Sequence, residues 1–268
     1  MRLSLGFSPC PNDTLIFYGL VEGKIDRAGL EFEPFIADVE TLNERALRGE
    51  PDITKVSVAC YLSLRDRYEL LSSGSAIGRG CGPLLVTGDA ISIKGLSGSV
   101  IAVPGRLTTA HLLFRSFIKK ELKDFSFIPE FMTFDRIIPS IKAGRVRAGI
   151  IIHESRFTYE AEGLRALIDL GEWWEKETGL PIPLGCIIAR KSLGMKTIRE
   201  IDSLIRESVL YGLKNLKEAL PYIKRYSQEL SEDVIMKHIR LYVNDFTVDM
   251  SSEGRRSIER LMELEESL

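Results

Sequence analysis

Short apolar runs alternate with helical segments through the first two-thirds of this chain. That alternation restricts it to the α/β class, with mainly parallel strands. Arg2–Phe7, Leu30–Ile36, Ile53–Val58, Glu69–Ser73 and Pro83–Thr87 read as strands. So do Val100–Val103, Phe127–Met132, Ala148–Ile152, Ala166–Leu170 and Leu184–Ala189. Asn12–Glu22, Asp38–Arg48, Thr108–Lys120 and Asp135–Ala143 read as helices; Asn12-Asp13 sits near the start of the first and Gly49 stops the second. From Thr197 to the end the pattern is helical and charged, with Tyr211, Leu213, Leu216 and Leu220 as an apolar stripe suited to a core.

A faint repeat divides the pattern. Gly6–Asp13 is a strand, a turn and a polar helix start, and Val103–Thr109 has the same arrangement. Later in each half a helix ends in glycine before a buried strand, at Gly49 and again at Gly144. Two similar lobes follow from this. The chain is expected to cross between them near Thr87–Ala90 and Ile188–Lys191. Residues 1–89 and 190–268 then make a discontinuous first lobe and residues 90–189 an inserted second one. A cleft between such lobes is a natural site for a small molecule.

With 44% apolar and 28% charged residues, the chain has the composition of a soluble globular protein. Its net charge of −2 argues against a nucleic-acid partner. No apolar run is long enough to span a bilayer, and the N-terminus lacks the core and cleavage site of a signal peptide. The expected location is the cytoplasm, without a membrane partner. Cys10, Cys60, Cys81 and Cys186 are widely spaced, with no CxxC pair, which is not the pattern of a zinc site.

The run Ala148–Ile152 ends in His153-Glu154. Ligands meet α/β proteins at the carboxyl ends of such strands. A histidine there either exchanges protons near neutral pH or hydrogen-bonds a neighbouring loop. Ser8–Asn12, Thr54–Ser57, Ser72–Ser75 and Thr108-Thr109 are corners rich in hydroxyl residues. Each either caps a helix or, with the free N–H groups there, receives a carboxylate or phosphate. Lys55 pairs with an anionic substrate or with a nearby carboxylate. Gly78–Pro83 is a tight turn or a place where backbone approaches a ligand, with Arg79 positioned to meet a carboxylate. His111 is expected to pack or cap, and His238 to be structural or solvated. Trp173-Trp174 either wall the cleft or anchor a helix.

Seven segments in order give these residues a context. They are Ser8–Thr14, Asp52–Ser57, Gly78–Pro83, Pro104–Ala110, Ile151–Tyr159, Asp169–Trp174 and Thr178–Gly185. Together they resemble the 1,4-dihydroxy-6-naphthoate synthases of the futalosine route to menaquinone. The resemblance spans roughly residues 1–190, and the helical tail matches in character only. It implies a two-lobe fold of the periplasmic-binding-protein type II kind, with central mixed sheets and a helical C-terminal segment. It implies conversion of cyclic dehypoxanthine futalosine to 1,4-dihydroxy-6-naphthoate and dihydroxyacetone, without metal or organic cofactor. The family's proton acceptor falls on His153, and its substrate contacts on Lys55, Val56, Ser57, Thr108 and Thr109. Asn12, Ser75 and Arg79 join them as further substrate-binding candidates for a small anionic molecule. Chorismate dehydratase, of the same route and fold, and a non-catalytic solute-binding protein are the rival readings. A ligand-sensing regulatory domain is a third; it would normally carry a helix-turn-helix module.

Overall fold

In a computed structural model, which describes residues 1–227 and 231–268, the strands are β1 (Arg2–Phe7), β2 (Glu31–Ile36), β3 (Ile53–Ser57), β4 (Tyr68–Leu70), β5 (Ala76–Gly78), β6 (Leu84–Thr87), β7 (Val100–Val103), β8 (Ile128–Phe131), β9 (Ala148–Ile151), β10 (Arg165–Asp169) and β11 (Ile182–Arg190). The helices are α1 (Pro11–Val21), α2 (Val39–Leu47), α3 (Val58–Leu62), α4 (Thr109–Glu121), α5 (Phe134–Lys142), α6 (Ser155–Thr158), α7 (Leu170–Thr178), α8 (Met195–Lys214), α9 (Leu216–Tyr226), α10 (Glu232–Tyr242), α11 (Asp245–Val248) and α12 (Ser251–Glu266). No described helix is long and apolar enough to cross a membrane.

Two mixed sheets carry the fold. The first has the order β2-β1-β3-β11-β4, with β5 also paired to β11. The second has the order β10-β6-β9-β7-β8. In each, the strands joined by helices run parallel: β1 with β2 and β3, β7 with β8 and β9. The strands that arrive from the other sheet run antiparallel to their new neighbours, β6 against β9 and β11 against β3. The chain therefore crosses between β5 and β6, and again between β10 and β11. The crossings expected near Thr87–Ala90 and Ile188–Lys191 are misplaced, because Leu84–Thr87 already lies in the second sheet and Ile182–Arg190 in the first. Hydropathy marks a strand as buried but does not say which sheet receives it.

At the first crossing Gly82 is required by close approach. A Cβ there would lie 2.2 Å from the Gly171 nitrogen at the start of α7. Helix α1 is buried from Pro11 to Leu20. Its residues Leu15, Ile16 and Phe17 share one core with Ile201, Ile205 and Val209 of α8 and Ile235 and Ile239 of α10. An apolar stripe on each tail helix explains this packing. It brings the N-terminal turn of α1 close to α10, a juxtaposition that matters below.

Candidate active site

A cavity lies between the two sheets, at the carboxyl ends of their parallel strands. From the first sheet it is lined by Asn12 and Asp13 at the start of α1 and by Lys55, Val56 and Ser57 at the end of β3. From the second come Thr108, Thr109 and Ala110 at the start of α4, and Ile152 and His153 beyond β9. Tyr242 of α10 completes the wall.

His153 has φ +57°, the left-handed region, which histidine enters more readily than most residues but at a cost. The strand stops there, and Glu154 already has helical angles at the start of α6. This turn gives His153 and Glu154 different surroundings. The His153 ring packs edge-on against Phe134, with centroids 4.8 Å apart. Its Nε2 is buried and has no hydrogen-bond partner, although the residue as a whole keeps part of its surface. Burial pulls its pKa down to about 4, with the Asp13 carboxylate pulling upward and the Lys55 ammonium downward. The imidazole is thus neutral at physiological pH, the protonation state in which it can accept a proton.

Lys55 resolves to the pairing reading. Its Nζ lies 3.0 Å from Asp13 Oδ1 and donates to the Gly74 carbonyl at 2.7 Å. The same carboxylate accepts from the Ser8 hydroxyl at 2.7 Å and from Asn12 Nδ2 at 2.9 Å. A buried ion pair with this many hydrogen bonds is a compensated one. The hydroxyl corners also have protein partners. Ser57 Oγ accepts from Asn43 Nδ2. Thr108 caps α4, donating to the Gly105 carbonyl and accepting from His111 N. Thr109 Oγ1 donates to the Leu184 carbonyl at 2.9 Å and accepts from Ala59 N at 3.2 Å, bridging the two sheets. These residues stand on the cavity wall. At the first turn of α4, next to Thr109 and Ala110, a helix offers N–H groups without intrahelical partners.

Two candidates stand elsewhere. Arg79 donates to the Gly179 carbonyl and pairs with Glu253 at 3.1 Å on the surface, so it ties the crossing together. Ser75 donates its hydroxyl to the Phe246 carbonyl at 2.6 Å and does not line the cavity. Trp173 and Trp174 anchor α7, against Phe117 and through Nε1 to the Pro181 carbonyl. His111 packs and caps, with Nδ1 on the Arg106 carbonyl. Sequence reasoning did not single out Tyr242, which reaches the cavity from α10; His238 of the same helix, expected to be structural or solvated, is fully buried. Among the described residues no group of three or more His, Cys, Asp or Glu is placed to hold a metal ion.

A family model described as menaquinone biosynthesis matches residues 3–267. The chain belongs to this family. It is 49% identical, over 97% of its own length and 92% of the relative's, to a Thermus thermophilus protein named 1,4-dihydroxy-6-naphtoate synthase. It is 41% identical, over 97% and 91%, to a Streptomyces coelicolor protein of the same name. A crystal structure of an Archaeoglobus fulgidus protein superposes with TM-score 0.92 at 36% identity, covering 99% of this chain and 97% of that one. A Candida albicans protein described as having the generic periplasmic binding protein fold superposes with TM-score 0.72 at 13% identity, covering 100% and 91%. The second likeness speaks to fold alone, and the family's fold is of that periplasmic-binding-protein kind.

Proposed function

We propose that the protein converts cyclic dehypoxanthine futalosine to 1,4-dihydroxy-6-naphthoate with release of dihydroxyacetone, a carbon–carbon lyase step of menaquinone biosynthesis, with His153 as general base. The observation that carries this reading is a neutral His153 in the lining of the cavity between the sheets, at the end of β9. Family membership supports the pathway, and the names of the two relatives favour this step over chorismate dehydration. The substrate is a small anion, and the reaction is placed in the cytoplasm.

The chemistry asks little of the protein. The base removes a proton, a carbon–carbon bond opens in the retro-aldol sense, the three-carbon fragment leaves and the ring becomes aromatic. Aromatisation supplies much of the driving force. The chain's tasks are to place the base, hold the substrate carboxylate and exclude water. The first turn of α4, at Thr109 and Ala110, suits a carboxylate. An anion bound there also raises the basicity of His153, because it favours the imidazolium. The test is to incubate the protein with cyclic dehypoxanthine futalosine and separately with chorismate. Naphthoate and dihydroxyacetone in equal amounts is the expected result. Turnover of chorismate, or binding of the futalosine without product, overturns the reading.

A further inference from the structure

His238 lies on α10, outside the motif-bearing part of the chain, yet it is 0% exposed and packed behind the cavity wall. Its ring is nearly parallel to that of His153, with centroids 6.3 Å apart and 22° between planes. Phe157 and Tyr242 pack on it as well, and Glu154 Oε2 is 3.8 Å from its Nδ1. Its Nε2 is 2.8 Å from Asn12 Oδ1.

The network around Asn12 fixes where protons sit. Asn12 Nδ2 faces the Asp13 carboxylate, which also holds Lys55 and the Ser8 hydroxyl. A carboxylate so engaged only accepts, so the Asn12 atom facing it is the amide nitrogen. The atom facing His238 is then the carbonyl oxygen, which also only accepts. Nε2 of His238 therefore carries the proton, and Nδ1, which is buried without a hydrogen-bond partner, carries none. Burial holds the imidazole well below its usual pKa, and the neighbouring His153 acts in the same direction.

We propose that His238, as its Nε2–H tautomer, is a positioning residue for the reaction at His153. Through Asn12 it holds the Asn12-Asp13-Lys55 network on one wall of the cavity, and its ring flanks the His153 ring. The kinetic part of this inference rests on the reaction proposed above, while the tautomer does not.

The chain has three histidines, so nitrogen-15 spectra of histidine-labelled protein can be assigned by single substitutions. His238 is expected to show a protonated Nε2 and a bare Nδ1 at neutral pH. The opposite tautomer, or a doubly protonated ring, overturns the proposal. With cyclic dehypoxanthine futalosine as substrate, His238→Phe keeps a ring and removes the donor. It is expected to lower kcat about tenfold or more through misplacement of the site, while KM changes by no more than roughly twofold. His238→Gln, whose amide can donate to Asn12 Oδ1, is expected to recover most of the loss. Wild-type kcat in a folded His238→Phe protein overturns the positioning role. If the unaltered protein makes no product, the proposed reaction fails instead, and the spectra alone decide the bonding of His238.

Discussion

At the scale of residues, the site rests on charges and protons that are buried and accounted for. Lys55 and Asp13 are both nearly inaccessible, and each is the other's main compensation. Lys55→Met removes one partner and leaves a buried carboxylate. It is expected to cost about 3–5 kcal/mol of folding stability, measured by urea denaturation. A loss below about 1 kcal/mol is the size of an exposed pair and contradicts the buried network. The place of His153 on the cavity wall was legible in the sequence because a titratable residue ended an apolar strand. The choice between substrate and carboxylate for Lys55 was not, because Asp13 is a neighbour only after folding. The bond between His238 and Asn12 was not legible for the same reason, since 226 positions separate them.

At the scale of elements, the strand-turn-helix corners do two tasks with one set of residues. Thr109 stands at the head of α4 on the cavity wall, and its hydroxyl joins β11 of the first sheet to α4 of the second. Across the same gap Glu40 of α2 accepts from Leu107 N at 2.9 Å. The carboxylate reaches it past Gly105, whose φ of 155° and missing side chain leave the space. Thr109→Val leaves the Leu184 carbonyl and Ala59 N–H without their partner. An expected loss of about 1–3 kcal/mol follows from buried groups left unsatisfied. An unchanged urea midpoint contradicts the bridging role. Most strands and helices were legible to within a residue or two, from Arg2–Phe7 to Ala148–Ile151. The short helices α3 and α6 were not. Helix α7 was one of the two readings of the Trp173-Trp174 run, and it begins where Asp169 accepts from Gly171 N at 2.8 Å.

At the scale of the whole molecule, stability is linked to pH through the buried histidines. His153 titrates near 4 when folded and near 6.5 when unfolded, and His238 is shifted the same way. Between those values the unfolded chain binds more protons, so stability falls as pH drops from about 6.5 toward 4. Asp38 and Glu40, whose pKa values burial raises, act in the opposite sense over the acidic part of that range. Comparing variants removes this common background. His238→Gln is expected to lose less stability between pH 7 and pH 4.5 than the unaltered protein, measured by urea denaturation at both. An equal loss shows that His238 takes up no proton on unfolding. The two-sheet plan was legible from the internal repeat. The crossings were not, because direction within a sheet leaves no trace in hydropathy.

The most direct measurement is turnover of cyclic dehypoxanthine futalosine by His153→Asn, with substrate affinity measured in parallel. If His153 is the base, kcat falls by at least about 10²-fold while affinity changes far less, and circular dichroism shows an intact fold. A folded His153→Asn protein that makes naphthoate within about tenfold of the unaltered rate contradicts it, and Glu154 is then the next group to substitute.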